Sequence, residues 1–460
     1  MLKYFFWVLS MLRRTTFYFL FFLLSFAFPV SSEAEESPGT PAVWTLPEAV
    51  RFAVANNPDA RMAMSRIEAA QAAITAEKAS FYPQLSLESG YSQTDNPMYS
   101  FGNILNQGAF SPGINFNDPG RTDDLNVGVR LGYRLYNGGR DLAGLRAATA
   151  QESASRWDFG AVQAQLAFEV VRVFNQMVEA EDMIKAHQAA LDAITASLAV
   201  ARARFEEGVL LKADLLDLEV QEAKYQEDLI HARHALDLAQ TGFRNLLGLQ
   251  AGAVAIDAES GRDQEIPAPT TDFEGRDEVK SADAMIRAAE AQVRQARAGY
   301  YPALDSYAGY TSEKGWETGG SGDSWQAGVK LSYNLFDGRR TSAEVARSTA
   351  MLAQAREQKR KALLAVGLEV QQAELALKEA EARLQVAEKS VGQAEESARI
   401  NRARFQEGVV LASDLIAVET RLTDARVRRA VAESSRRVAV AALRRAEGLP
   451  QFPGSSPQAR

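Results

Sequence analysis

Residue types that carry most enzyme chemistry are scarce in this chain. Its 460 residues include no cysteine and only three histidines, His187, His231 and His234. Without cysteine there is no thiol nucleophile, disulfide, Cys-based zinc site or Cys lipid anchor. His231 and His234 stand at i and i+3 of a helical stretch, a spacing compatible with a metal ion. No third ligand lies near them, so they read as two surface histidines. No Ser-His-Asp arrangement and no Gly-rich phosphate loop stands out. The chain is expected to be no enzyme and to hold no cofactor or metal. A formal net charge of −8 gives no support for nucleic-acid binding.

What remains is charge in repeated positions. Asp214 and Asp414 each follow a glycine, Gly208 or Gly408, by six residues, and Asp217 lies three further on. A carboxylate in the first turn of a helix is favoured by the helix dipole, which by itself accounts for both. Arg130, Arg134 and Lys330 fall on the polar side of alternating segments. They would line the lumen of a barrel or be solvated on a soluble sheet.

The elements that position these charges occur twice. Residues 202–220, RARFEEGVLLKADLLDLEV, match 402–420, RARFQEGVVLASDLIAVET, at eleven of nineteen positions. The offset of 200 also aligns 127–140 with 327–340, and it still holds at Gly248-Leu249 and Gly448-Leu449. Further upstream, AEKASFYPQL (76–85) resembles VRQARAGYYPAL (293–304) at an offset of 219, so the first copy carries 19 extra residues before its second strand. Those residues, between Gln93 and Thr122, are rich in Asn, Gly and Pro and suit an ordered cap or a disordered loop equally.

Each copy reads helix, strand, loop, strand, long helix, turn, helix. Strands are expected at about 84–93, 125–136, 303–312 and 325–336. In 125–136, Leu125, Val127, Val129, Leu131, Tyr133 and Leu135 alternate with Asn126, Gly128, Arg130, Gly132, Arg134 and Tyr136. That is period two with one apolar face. Strands of about ten residues meet the span of a tilted membrane strand, and Tyr91, Tyr133, Tyr310, Trp316, Trp325 and Tyr333 near their ends would form an interfacial girdle. A soluble hairpin on a core is the plainer alternative.

The helices are expected at about 58–80, 138–205 and 211–248, then 278–300, 339–406 and 412–447. From Leu166 an apolar seam steps by four and three through Val170, Val173, Met177, Ala180, Ile184, His187, Leu191, Ile194, Leu198 and Ala201 to Phe205. This 3.5-residue period is a coiled-coil seam. The 68 residues from Gly138 to Phe205 would extend about 100 Å. The return helix covers only about 57 Å and the opening helix about 35 Å, so these two are expected to stack end to end beside the long one. Four strands cannot close a barrel, and an open sheet in lipid leaves unpaired edges. Any barrel must therefore be shared between subunits. A dimer would have eight strands and a trimer twelve.

The N-terminus reads as a secretory leader, with basic Lys3, Arg13 and Arg14 before an apolar run over Phe17–Phe28. Cleavage is placed after Ser32, with Ala34 as the alternative site and an uncleaved anchor as the alternative reading. Removing those three cations and no acid takes the mature chain to about −11.

The pattern resembles the TolC-like outer-membrane efflux protein family. LPEAVRFAVANNPDAR (46–61) is similar to its opening helix, Tyr82-Pro83 and Tyr301-Pro302 to its helix-to-strand junctions, and LYNGG (135–139) and LFDGR (335–339) to its strand exits. RFEEGVLLKADLL and RFQEGVVLASDLI are similar to its two tip turns. The resemblance implies a mixed α+β membrane protein: a homotrimer with four strands per chain in one twelve-stranded outer-membrane barrel and a coiled-coil α-helical barrel in the periplasm. It implies an adaptor protein docked at the tips, an inner-membrane pump beyond it, and a passive duct for efflux or type I secretion. It would make Arg204, Phe205, Gly208, Val209, Leu211, Arg404, Phe405, Gly408, Val409 and Leu411 the adaptor-docking tips. Asp214, Asp217 and Asp414 would ring the periplasmic mouth, where such rings favour cations. The chain departs from the family pattern at Ala417, where a further acid is common, and at Val410, where some members carry a basic latch residue. On this reading the second hairpin is the one expected to move at the mouth.

The expected organisation is a signal peptide at 1–32, an N-terminal periplasmic segment at 33–57, repeats at 58–249 and 278–449, a linker at 250–277 and a tail at 450–460. A periplasmic coiled-coil scaffold with a soluble strand domain is the alternative.

Overall fold

The computed structural model describes residues 41, 43–261, 264–268 and 272–452. The expected leader and most of the tail lie outside the described residues. The elements run β1 (Val43–Trp44), α1 (Leu46–Asn56), α2 (Pro58–Lys78), β2 (Gln84–Thr94), α3 (Pro97–Asn106), β3 (Thr122–Tyr136), α4 (Arg140–Glu206), α5 (Lys212–Leu246), β4 (Ala255–Ile256), α6 (Asp277–Arg297), β5 (Ala303–Lys314), β6 (Ser321–Ser332), α7 (Arg340–Glu407) and α8 (Ala412–Ala446).

The chain departs from expectation in four places. The helix at 46–61 is split at Asn57, whose side chain accepts the amide of Asp59 and caps α2, with Pro58 at its first position. The last strand runs 321–332 instead of 325–336, leaving Tyr333, Leu335 and Phe336 outside it and exposed. The Gln93–Thr122 connection carries α3. A bulge in β3 between Arg134 and Tyr136 pairs Tyr136 with Leu304, itself opposite Leu331. Tyr136 thereby leaves the polar side on which strict alternation would put it.

The four long strands form one antiparallel sheet in the order β2-β3-β5-β6. One face carries Leu87, Val129, Tyr310 and Trp325 in register, and the other Ser86, Arg130, Gly309 and Gln326. The apolar face is uncovered, with Leu87 73% and Trp325 79% exposed.

The long helices α4 and α7 leave the sheet and return as α5 and α8. At 67 residues α4 extends about 100 Å, against about 32 Å for α2 and about 52 Å for α5. α2 and α5 meet end to end: Asn57 Nδ2 donates to the Leu246 carbonyl at 2.9 Å. α6 and α8 meet in the same way through Arg276, which donates to the carbonyls of Arg445 and Ala446 at 2.9 and 2.5 Å. Burial disfavours the Arg276 charge, yet Glu278 and Glu369 hold its pKa above the ordinary guanidinium value.

α6 lies between the two long helices near the sheet, with Lys280 over the Trp157 ring and Lys359 paired to Asp283 at 2.9 Å. Halfway down α4, a core of Trp44, Val50, Val170, Phe174, Met177 and Phe243 is sealed by the short parallel pair β1–β4. The seam holds as buried positions at Leu166, Val170, Val173, Met177, Ala180, Ile194, Leu198 and Ala201. Ile184, His187 and Leu191 are half-buried, and Phe205 is exposed. Burial of this apolar stripe, at roughly 25 cal/mol per Å², is what holds so long a helix in place.

Candidate functional site

Both hairpins end at neighbouring tips. Gly208 and Gly408 each take φ +79°, a left-handed conformation that an L side chain resists. In each turn the next amide, Val209 or Val409, donates back to the carbonyl of Arg204 or Arg404 at 2.9 Å. Leu211 and Leu411 precede the return helices, whose first turns carry Asp214 and Asp414. Asp214 is half-buried, and Asp217 and Asp414 are exposed.

The two tips are not equivalent. Phe405 is 1% exposed, in a core with Ile194 and Leu198 of α4, Leu218 and Tyr225 of α5, and Leu415 of α8. Phe205, its counterpart, is 38% exposed. Arg204 reaches across from the first tip. Its Nη1 donates to the Phe405 carbonyl at 3.0 Å, and its guanidinium lies 6.0 Å from the centre of the Phe405 ring. Two of the ten expected docking residues are thus engaged within the chain, and Phe405 has no surface to offer. Val209, Leu211, Val409 and Leu411 are well exposed, and Val410 packs against the shared core.

Behind the tips lies a pair that the sequence reading passed over. Arg402 makes a two-pronged contact with Glu419 at 2.5 and 2.7 Å, and Glu419 is 1% exposed. The hydrogen bond to Glu419 raises the Arg402 pKa despite the burial that opposes its charge. In the first hairpin, Arg202 and Glu219 meet at 3.2 Å but remain open to solvent. A signal existed: an arginine and a glutamate seventeen residues apart recur in both hairpins.

On the sheet, Arg130 pairs with Glu88 at 3.4 Å, and Arg134 with Asp305 and Asp141 at 3.3 and 3.5 Å. Lys330 stands opposite Asp305 in register. These charges share the polar face. His231 and His234 are exposed, with His231 3.7 Å from Glu227. His187 is half-buried, and its Nδ1 finds no hydrogen-bond partner. Among the described residues no group of three His, Asp or Glu side chains is arranged to hold a metal ion.

The family model for outer membrane efflux proteins matches residues 50–249 and 273–449. The chain belongs to the outer membrane efflux protein family. Protein CyaE of Bordetella pertussis is 27% identical over 422 residues, covering 88% of this chain and 84% of CyaE. Outer membrane protein TolC of Vibrio cholerae is 22% identical over 331 residues, covering 66% and 68% of the two chains. The crystal structure of CusC superposes with a TM-score of 0.76 at 17% identity, covering 92% of this chain and 98% of that one. Membership makes the chain an outer-membrane channel component of efflux or secretion machinery, with its helical part in the periplasm. Members of this efflux family work with a periplasmic adaptor and an inner-membrane pump. Both matched segments end on the glycine-leucine pairs at 248–249 and 448–449, where the return helices finish.

Proposed function

We propose that three copies of the chain close one barrel of twelve strands in the outer membrane, and that their helices form the periplasmic tunnel leading into it. The observation that carries this is the sheet itself: four strands, an uncovered apolar face, and outer edges on β2 and β6 with no partner among the described residues. No helix of the described residues is long and apolar enough to cross a membrane. Every backbone group in hydrocarbon needs a partner, so β6 of one copy pairing with β2 of the next satisfies both edges. The faces then divide naturally, with Leu87 and Trp325 toward lipid and Arg130, Arg134 and Lys330 toward the lumen. Detergent-purified protein should have the mass of three chains and form pores in planar bilayers. A monodisperse monomer that forms no pores would overturn the reading.

At the opposite end Asp214, Asp217 and Asp414 form the acidic mouth and favour cations. Converting Asp214 and Asp414 together to Asn should lower cation preference several-fold in single-channel recordings, and unchanged selectivity would remove them from the mouth. The exposed apolar residues Val209, Leu211, Val409 and Leu411 are the core of an adaptor-docking surface, with Phe205, Gly208, Arg404 and Gly408 around them and Arg204 and Phe405 supporting it from behind. With Val410 in place of a basic residue, the Arg204 contact to Phe405 is the tether between hairpins, and the second hairpin is the mobile one. A duct wall makes few specific contacts, so cargo choice belongs to the pump.

A further inference from the structure

The 19 residues that set the first copy apart do not hang free at the outer end of the sheet. α3 is stitched to both strands it connects: Ser100 Oγ donates to the Thr94 carbonyl at 2.9 Å, and Asn103 Nδ2 to Thr122 Oγ1 at 3.0 Å. At its C-terminal end Gln107, 1% exposed, donates to the Asp123 carbonyl and to Asp124 Oδ1 at 2.8 and 3.2 Å. Gln107 also accepts from Thr318 of the β5–β6 turn. The Asp123 carboxylate receives the amides of Trp316 and Glu317 from that same turn.

The register shows which face α3 covers. Asp124 alternates with Asn126 and Arg130 on the polar side of β3. Asn126 stands opposite Glu313, and Glu313 opposite Gly322. A Cβ added to Gly322 would lie 2.0 Å from the Asn106 carbonyl oxygen, and one added to Gly320 would lie 2.3 Å from that of Gln107. The end of α3 therefore rests on the polar face of β3 and β6, the face that lines the lumen once the barrel closes.

This segment is nevertheless apolar where it faces away from its own sheet. Met98 is 83% exposed, Tyr99 67% and Leu105 50%. Phe101, Phe110 and Phe116 form an aromatic group beside them, with Phe101 and Phe116 centred 4.7 Å apart. Apolar side chains on the lumen side call for a cover that the single chain does not supply. The dimensions name that cover. Twelve strands about 4.8 Å apart and tilted about 40° form a ring roughly 24 Å across between backbones, and inward side chains leave less than that open, so helices entering from three copies are brought against one another. A helix with its side chains is about 10 Å wide, and three side by side need a circle of about 22 Å, so three copies of α3 at the mouth fill it.

We propose that α3 and the chain up to Asp118 fold into the outer mouth of the barrel, where three copies meet through these apolar side chains and narrow the channel. The proposal rests on the trimeric barrel, and its occupant is a second copy of this chain. The chain has no native cysteine, so a single introduced thiol reports without interference. In the full-length Leu105→Cys protein, copper-catalysed oxidation should link neighbouring chains. A bulky methanethiosulfonate added from the outer side should cut single-channel conductance at least two-fold. In the protein without the introduced cysteine, replacing 97–118 with a short Gly-Ser turn should raise conductance, and unchanged conductance would count against the narrowing. A Leu105→Cys channel whose labelling is verified by mass, but whose conductance is unaltered and whose chains do not crosslink, overturns the proposal; the segment then faces lipid headgroups or solvent. Wild-type protein that forms no pore would instead count against the channel reading, and the interchain crosslink would still decide whether the α3 helices meet.

Discussion

Arg402 and Arg202 occupy equivalent positions but face different penalties. Glu419 is sealed from water, so removing Arg402 would strand a buried carboxylate. We expect Arg402→Ala to lower the local stability of the second hairpin by about 3–5 kcal/mol, and Arg202→Ala that of the first by under about 1 kcal/mol. Amide hydrogen exchange over 398–424 and 198–224 would measure both, and equal effects would contradict the account. Glu179, half-buried on α4, behaves oppositely to a paired acid. Burial raises its pKa above the ordinary 4.5, only partly offset by the neighbouring Ser434 hydroxyl. Below pH 4.5 it is protonated folded or unfolded and contributes nothing. As pH rises through the elevated folded value, its charge becomes a cost to the folded state. Glu179→Gln should therefore raise the melting temperature at pH 7 and leave it unchanged at pH 4. The charge pairs were legible as residue types at a repeated spacing. Which pair is sealed was not, because burial depends on what the other hairpin lays over it.

The decisive events among the elements are the two end-to-end joints. Asn57 and Arg276 are both N-caps of short helices, and both reach the C-terminal carbonyls of a return helix. Asn57→Ala removes one cap and one joint bond and should cost about 1–2 kcal/mol. Arg276→Ala should cost more, about 3–5 kcal/mol, because Glu278 and Glu369 lose a partner that is 5% exposed. Thermal denaturation of the detergent-solubilised protein would rank the two, and an inverted order would mean that the Arg276 cluster adds nothing. Helix lengths already suggested that two shorter helices stack against a long one. Pro58 suits the first turn of a helix, but the Leu246 carbonyl that Asn57 meets could not be read from its neighbours. Arg276 was not readable as a cap, since arginine has no intrinsic preference for that position and serves there only because α8 ends beside it.

For the whole molecule, assignment of the two sheet faces has a direct consequence. Ser86 and Leu87 are neighbours on β2 and point to opposite faces. A cation on the lipid face is penalised by about 2–4 kcal/mol near the bilayer midplane, whereas the lumen tolerates it. Leu87→Arg should impair folding into lipid vesicles, and Ser86→Arg should leave assembly intact while altering conductance. Equal tolerance of both would mean that the sheet does not meet lipid.

The sequence by itself determined the order of the four long strands and of the six helices from α2 onward apart from α3, most of the apolar seam of α4, the two faces of the strands and the family resemblance. These follow from periodicity and turn residues, which act over a few positions. Tertiary structure decided the rest: the Asn57 and Arg276 joints, the burial of Phe405 while Phe205 stays exposed, and the seating of α3 on the polar face. Each depends on atoms from segments far apart in the chain. A seam can be read along one helix, but the carbonyl that Arg204 or Gln107 will meet exists only once the hairpins and strands have come together.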